Sequence, residues 1–275
     1  MYRKSSLWLA AASLLIVSCN KTVDTAALAV ENPDNQVETP KSELTFTKAT
    51  MPVMLEFTST GCPGCGSWGK PTFARVAADY VGKITPLAVH IKYGDPMITD
   101  ESNAIGANRY GNFYTPQIWV ADSNAVILNG GSISGASEQN MRRMLDITLQ
   151  QVQPALAAKL SKEDGKLVVT YGVKFIDIMP EGEYALACYL TEDGIKAQQT
   201  SSAINPATHN HVLRASAAGA FGKPFASSDL TDNEKSWAHT FTLDSKYNAD
   251  NVYITLVLWK KTGTRYSAIN GYIAK

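Results

Sequence analysis

Residues 55–65 read LEFTSTGCPGC, and this stretch carries the strongest structural signal in the chain. An apolar run of strand type leads into it, two cysteines stand three positions apart, and a helical pattern follows them. At the start of a helix this spacing lets the sulfur atoms of Cys62 and Cys65 form a disulfide. Unpaired backbone N–H groups and the positive end of the helix dipole favour the thiolate of the first cysteine. The pattern predicts disulfide exchange in which Cys62 attacks and Cys65 resolves the mixed disulfide.

Two other interpretations of the cysteine pair remain open from the residues alone. A purely structural disulfide suits an exported protein, because exported chains meet an oxidising compartment. A zinc site would need two more ligands at suitable spacing, whereas the chain has no second CxxC and Cys188 stands alone in a predicted strand. His209 and His211 would share one face of a strand, and we interpret them as polar residues at a strand edge. We predict neither a metal site nor a cofactor.

Predicted strands and helices alternate over residues 43–159, which favours an α/β domain with a central mixed sheet flanked by helices. The predicted strands are Leu44–Thr47, Val53–Phe57, Ile84–Ile91, Gln117–Val120 and Ala125–Leu128, with the last two forming a hairpin. The predicted helices run from the cysteine pair to about Val81, from Asp100 to Tyr110, and from a cap at Ser137 to about Ala158.

Residues 160–275 have a different pattern, in which apolar and polar residues alternate with the period of a half-buried strand. Cys188 falls on the apolar face of one such strand, so we predict that its thiol is buried and unreactive. The spacing of the strands predicts an all-β sandwich domain of the immunoglobulin-like kind. The predicted strands are Leu167–Phe175, Tyr184–Leu190, His211–Ala215, Ala238–Leu243, Val252–Trp259 and Tyr266–Ile273.

The N-terminus has a short positive start and an apolar run over residues 7–17 that ends just before Cys19. This run is too short to cross a membrane as a helix. A small residue followed by cysteine after such a run resembles the lipobox of bacterial lipoproteins. The resemblance implies that a signal peptide of residues 1–18 is removed and that Cys19 receives a lipid. An ordinary signal peptide with an incidental cysteine is the alternative.

The segment that follows the lipobox-like site has no apolar period. Residues 19–42 are polar and contain two prolines, so we predict a flexible tether between the lipid and the folded part. By resemblance to the sorting rules of Gram-negative lipoproteins, Asn20 after the cysteine implies the outer membrane.

Charge composition bears on the partners of the chain. Lysine plus arginine and aspartate plus glutamate both number 25, so the formal net charge is zero. Nucleic-acid-binding proteins present a basic face. We therefore predict no nucleic-acid partner.

The stretch at residues 55–65 resembles the thioredoxin family, in which an apolar strand ends in an acid and a phenylalanine before the cysteine pair. In that family Glu56 would match the buried acid that helps to deprotonate the resolving cysteine. Thr115 and Pro116 would match the residue that pairs with substrate backbone and the cis proline beside the cysteines. A solvent-facing acid and a trans proline at a strand start are the alternatives.

This chain departs from the thioredoxin pattern in the motif itself. Gly61 stands in place of the usual tryptophan, and Pro63 precedes Gly64 where the family has the opposite order. Gly66 and Gly69 are each expected to weaken the first helical turns by about 1 kcal/mol relative to alanine. A frayed turn would give less electrostatic support to the thiolate.

The whole layout resembles a narrower family, the twenty-eight-kilodalton outer-membrane lipoproteins of Gram-negative bacteria. The matching features are the lipobox, the motif, the strand that begins at Thr115 and Pro116, and the segment NHVLR at residues 210–214. The resemblance implies an exported protein, lipid-anchored in the cell envelope, with a thioredoxin-like fold.

We predict an envelope thiol–disulfide oxidoreductase that acts on protein thiols or disulfides or on an envelope redox partner. Its catalytic residues would be Cys62, Cys65, Pro116 and Glu56, with Thr115 positioning the substrate. The alternative is a surface lipoprotein or binding module with a thioredoxin-like scaffold and a structural disulfide.

Overall fold

The computed structural model describes residues 44–92, 94–109, 114–129, 132–177 and 180–275. The predicted signal peptide, Cys19 and the predicted tether over residues 19–42 lie outside the described residues. All of the described residues fall within one compact unit.

The described residues form mostly strands, with three α-helices. The helices are α1 (Lys70–Asp79), α2 (Asp100–Ala107) and α3 (Ala136–Leu149), and there are a π-helical turn at Cys65–Gly69 and a 3-10 turn at Ser227–Asp229. The strands are β1 (Val53–Thr58), β2 (Thr85–His90), β3 (Gln117–Val120), β4 (Ser123–Asn124), β5 (Leu128–Asn129), β6 (Ser132–Ile133), β7 (Ala155–Glu163), β8 (Lys166–Lys174), β9 (Glu183–Glu192), β10 (Ile195–Ala197), β11 (Ala207–His209), β12 (Val212–Ser216), β13 (Lys223–Ala226), β14 (Glu234–Thr242), β15 (Val252–Thr262) and β16 (Arg265–Ala274).

Strands β1, β2 and β3 form the part of the sheet that carries the cysteine motif. β1 and β2 are buried along their whole length and pair in parallel, with Val53 opposite Thr85. β3 pairs antiparallel on the other side of β1. Because both faces of these strands are covered, their sequences are continuous apolar runs rather than alternating ones.

Helices cover both faces of this part of the sheet. On one face, residues of α1 and α3 such as Phe73 and Met141 pack with Met54 and Ile118 of the sheet. On the other face, Ile105 of α2 belongs to a cluster formed by the odd-numbered residues of β1 and β2. A mixed sheet with a few helices on its faces is therefore present in this segment, and its assignment as an α/β domain over residues 43–159 stays a prediction.

One nine-stranded sheet continues from this segment into the second half of the chain. Its order is β16-β15-β9-β12-β2-β1-β3-β4, with β13 paired to β9. The junction is the parallel contact of β12 with β2, where Val212 lies opposite Ala88. The division predicted after residue 159 falls inside β7 and within one compact unit. The assignment of separate domains to residues 43–159 and 160–275 therefore stays a prediction.

A second sheet packs on the β9 and β15 part of the large sheet. Its order is β14-β8-β7, and the alternating residues predicted to be apolar in β8, from Leu167 to Phe175, are buried against the large sheet. β9 was expected to be half-buried, but side chains pack on both of its faces. Leu186 and Cys188 belong to the cluster shared with the second sheet, whereas Ala187 belongs to the cluster on the opposite face. An immunoglobulin-like arrangement of these strands stays a prediction.

Two predicted strands differ from the observed ones. Residues 44–47 are not a strand, and Phe46 instead lies over Gly172. β3 turns back into β4, not into the predicted Ala125–Leu128 strand. Asn124 takes the pairing position opposite Trp119, which leaves Ala125 to begin the next connection.

The third predicted helix is shorter than expected and has a different cap. α3 ends at Leu149, and β7 begins directly after Pro154, which cannot continue a helix. The cap residue is Gly135. The hydroxyl of Ser137 is already engaged, since it donates to the carbonyl of Ile127 and accepts from its amide, both at 2.9 Å.

Candidate functional site

Cys62 and Cys65 form a disulfide, as the spacing predicts. The residues lie directly after β1 and the short turn that follows it. Cys62 is 4% exposed and Cys65 is fully buried, so the first sulfur is the one nearer to the surface.

Backbone groups hold Cys62 at the start of a helical segment. Its amide donates to the carbonyl of Ser59 at 3.2 Å, and its own carbonyl accepts from the amide of Gly66 at 3.3 Å. The amide of Cys65 points at the sulfur of Cys62, with 3.1 Å between nitrogen and sulfur. An N–H group in this position would stabilise negative charge on that sulfur.

Thr115 and Pro116 lie beside the disulfide and are joined by a cis peptide bond. The carbonyl oxygen of Thr115 is 3.6 Å from the sulfur of Cys62. β3 begins at Gln117, directly after the proline. The structure therefore brings together the two cysteines and the two residues that the thioredoxin resemblance placed next to them.

The glycines after the motif are sites of close packing. A Cβ atom at Gly69 would lie 2.5 Å from the Cβ of Pro116, and one at Gly66 would lie 2.0 Å from the carbonyl oxygen of Thr200. Real Cβ atoms do not approach other atoms so closely. The expectation that these glycines only weaken the helix was therefore incomplete, because each permits another segment to contact the motif.

A segment from the second half of the chain covers the back of the motif. The side-chain amide of Gln199 lies within 3.1–3.2 Å of the carbonyl oxygens of Ser59, Thr60 and Cys62. The amide of Thr200 donates to the carbonyl of Thr60 at 2.8 Å. Sequence reasoning did not identify Gln199, since nothing in its local pattern points to a motif almost 140 positions away.

Glu56 is buried in β1, so the alternative of a solvent-facing acid is wrong. It is 3% exposed, and burial raises its pKa from 4.5 to about 7, although Lys70 and a hydrogen bond with Thr58 act in the opposite direction. Burial also lowers the pKa of Lys70. The Lys70 amine donates to the carbonyl of Thr208.

Glu56 lines a cavity of about 740 Å³ beneath α1. The same cavity is lined by His90, His209 and His211, none of which we predicted as a site residue. The two histidines of the H-x-H segment do not share a strand face. His209 ends β11, whereas His211 adopts a φ of 58° ahead of β12. Within the described ranges, no group of three or more His, Cys, Asp or Glu residues is arranged to hold a metal ion.

Cys188 lies in the centre of β9, fully buried and unpaired with another cysteine. Burial raises the pKa of its thiol well above the ordinary value. The prediction of a buried, unreactive thiol agrees with this placement.

Residues 136–271 match the sequence model of a protein family described as outer membrane protein Omp28. Over this segment the chain is similar to the Omp28 family. The match confirms the resemblance to outer-membrane proteins of this size class and indicates a location in the cell envelope at the outer membrane. The matched residues begin at α3, so they do not include the disulfide.

One solved structure resembles this chain over most of its length. HBP35 of Porphyromonas gingivalis superposes with a TM-score of 0.65 at 16% sequence identity, covering 84% of this chain and 76% of the other. At this identity the likeness concerns the fold alone. A search of curated proteins found no sequence match. In the described part of the chain, no helix combines the length and apolar character needed to span a membrane.

Proposed function

We propose that this protein is an envelope thiol–disulfide oxidoreductase acting through Cys62 and Cys65. The observation that carries the proposal is the environment of Cys62. Its sulfur is the outer one of the pair, receives the amide N–H of Cys65 at 3.1 Å and faces the carbonyl of Thr115 at 3.6 Å. A thiolate at this position would be stabilised, while an extended substrate could pair with the backbone at Thr115.

In the reduced protein, the exchange reaction proceeds in two steps. The Cys62 thiolate attacks a substrate disulfide, forms a mixed disulfide and releases one substrate thiolate, which takes up a proton. The Cys65 thiolate then attacks the Cys62 sulfur, closes the 62–65 disulfide and releases the second substrate thiol. The substrate disulfide is reduced and the protein dithiol is oxidised. The reverse sequence oxidises a substrate dithiol.

The surrounding strands and three further residues support the same proposal. The parallel β1–β2 pair, the antiparallel β3 and the motif between β1 and α1 support a thioredoxin-like domain over residues 43–159. In it Pro116 and Thr115 would position substrate backbone. Glu56, with a pKa of about 7, would exchange a proton near the pair at neutral pH.

Location and partners complete the proposal. We propose that Cys19 carries a lipid after removal of residues 1–18 and that residues 19–42 tether the folded part to the outer membrane. The partners would be protein thiols or disulfides of the envelope, or a dedicated redox partner there. Labelling with a radioactive fatty acid, compared between the wild type and Cys19→Ala, tests the anchor.

Trapping of mixed disulfides tests the exchange reaction. Cys65→Ser should accumulate adducts through Cys62, because the resolving thiol is missing. The control is Cys62→Ser, which keeps one motif cysteine but should trap nothing. If Cys65→Ser forms no adducts and the wild type neither reduces nor oxidises a test protein disulfide, the proposal is wrong.

A second candidate function is favoured by the low exposure of both cysteines and by the Gln199 segment behind them. In this alternative the protein is a surface binding module and its disulfide is structural. Replacing both cysteines would then lower stability and leave partner binding intact.

A further inference from the structure

The cavity beneath α1 has the dimensions of a small-molecule site. Its volume of about 740 Å³ lies within the range of roughly 300–1,000 Å³ that such sites occupy. The floor is the face of β1 and β2 that carries Glu56, Thr58 and His90. These residues share one face because Glu56 lies opposite Ala88, and Thr58 opposite His90, in the parallel register.

The walls of the cavity are largely apolar. α1 contributes Phe73, Ala74, Ala77 and Ala78, and Ile84 closes the side near β2. Ala74 and Ala78 are exposed, so this wall borders the opening. An apolar molecule could enter at α1 without the rearrangement of a buried side chain.

Polar atoms without partners are concentrated at one end of the cavity. Among the described residues that line it, Glu56 Oε1, His90 Nε2 and His209 Nε2 are buried and lack a hydrogen-bond partner. Glu56 and His209 are 3% exposed, and His90 is 1% exposed. The two imidazole rings are adjacent, with 5.3 Å between their centroids. Buried polar groups are normally paired, so three such atoms around one space indicate a ligand that completes them.

The other nitrogen of each imidazole ring is also engaged in a hydrogen bond. His90 Nδ1 lies 2.7 Å from the carboxylate of Asp95 and therefore carries a proton. The other nitrogen of His209 donates to the backbone of Ala197. Burial lowers the pKa of His209 to about 4, so this ring is neutral at physiological pH and its Nε2 is an acceptor.

The unpaired acceptor on the His209 ring favours a ligand that donates a hydrogen bond. Because this imidazole is neutral, its Nε2 offers no N–H to a carboxylate or phosphate. The Lys70 amine is held by the carbonyl of Thr208. A neutral group that donates a hydrogen bond matches this end of the cavity best.

We propose that the cavity binds an apolar molecule that ends in a hydroxyl group. The apolar part lies against the α1 wall, and the hydroxyl donates to the Nε2 of His209, at the same end of the cavity as Glu56 Oε1. The proposed ligand shares Glu56 with the proposed exchange site but contacts neither cysteine, because no cysteine lines the cavity.

Equilibrium dialysis of two matched probes against the oxidised protein tests this site. 2-Naphthol presents a hydroxyl donor on an apolar body, whereas 2-methoxynaphthalene has the same rings without a donor. We expect 2-naphthol to bind saturably and about tenfold or more tightly than the ether, since the ether leaves the acceptors unpaired. Equal binding of both probes would overturn the hydrogen-bonding part of the proposal.

Two variants locate the binding. Ala78→Trp places a large ring at the exposed opening and should abolish 2-naphthol binding, while His209→Phe removes one acceptor and should reduce the preference for 2-naphthol. The matched control is Ala104→Trp, at an exposed alanine of α2 that does not line the cavity. If His209→Phe does not fold, Ala78→Trp decides the question alone. Absence of saturable binding up to the solubility limit of 2-naphthol, or unchanged binding to Ala78→Trp, would overturn the site.

Failure of the probe-binding tests can be distinguished from failure of the proposed oxidoreductase activity. The probes are measured with the disulfide closed, and neither variant alters a cysteine, Thr115 or Pro116. A protein that exchanges disulfides but binds no probe would refute only this inference.

Discussion

The side-chain amide of Gln199 lies 3.2 Å from the carbonyl oxygen of Cys62. This contact joins the cysteine motif to a segment almost 140 residues later in the chain. The same amide reaches the carbonyls of Ser59 and Thr60. The backbone around the disulfide therefore depends on a residue of the Omp28-matching segment.

Gln199→Ala should destabilise the protein and make the disulfide easier to reach. The lost donor leaves buried carbonyls unpaired, which costs about 1–3 kcal/mol. We expect a lower urea midpoint and faster reduction of the 62–65 disulfide by dithiothreitol. The exposed Gln139→Ala is the control and should leave both measurements unchanged. A wild-type reduction rate in Gln199→Ala would show that the contact does not protect the disulfide.

Gly69→Ala should be more destabilising than an ordinary glycine replacement in a helix. The added methyl group would overlap Pro116, and overpacking of this kind costs about 1–3 kcal/mol. The matched control is Gly135→Ala, since Gly135 is also a helix N-cap, has a φ of −56° and has open space around it. Urea unfolding of both variants measures the difference. Equal midpoints would contradict the close approach of Gly69 to Pro116.

Glu56 should make the protein less stable as pH rises from about 4.5 to about 7. The folded pKa is raised to about 7, so in this window the folded protein keeps a proton that the unfolded chain has released. The whole effect is on the order of 3 kcal/mol. Glu56→Gln should remove this decline, as measured by urea unfolding at pH 5 and pH 8. The control is the exposed Glu163→Gln, which should keep the wild-type pH dependence. If the stability of Glu56→Gln still declines between pH 5 and pH 8, another group causes the decline.

Cys188 should stay unmodified in the folded, reduced protein. Its thiol is fully buried, and burial raises its pKa, so little thiolate forms and reagent cannot reach it. After reduction and treatment with iodoacetamide, mass spectrometry should find carboxamidomethyl groups on Cys62 before any on Cys188. In urea, Cys62, Cys65 and Cys188 should all react. Rapid labelling of Cys188 without urea would mean that β9 opens far more readily than its position suggests.

The features that could be predicted from sequence are those with a local cause. The buried strands β1 and β2, the alternation in β8 and the disulfide all follow from spacing within ten residues or fewer. Glu56 and Pro116 were identified by resemblance. The structure buries Glu56 in β1 and places Pro116 after a cis peptide bond, with the Thr115 carbonyl 3.6 Å from the sulfur of Cys62.

The features that could not be predicted depend on partners far away in the chain. Gly66 and Gly69 have low helix propensity, but their role is set by Thr200 and Pro116. Ser137 has the residue type of a cap, but Ile127 occupies its hydroxyl. β9 alternates like a half-buried strand, yet distant side chains pack on both of its faces. The cavity histidines are brought together by the pairing of β10 with β11 and of β12 with β2, and no local period reveals such pairing.

The parallel contact between β2 and β12 limits how the chain can be divided. The amide of Ala88 donates to the carbonyl of His211 at 2.7 Å across this junction. An N-terminal fragment that stops before β12 would turn β2 into an unprotected edge strand, with a continuous apolar sequence open to other chains. Such edges promote aggregation. Expression of either half alone is therefore a less suitable route to the isolated redox motif than point variants of the whole protein.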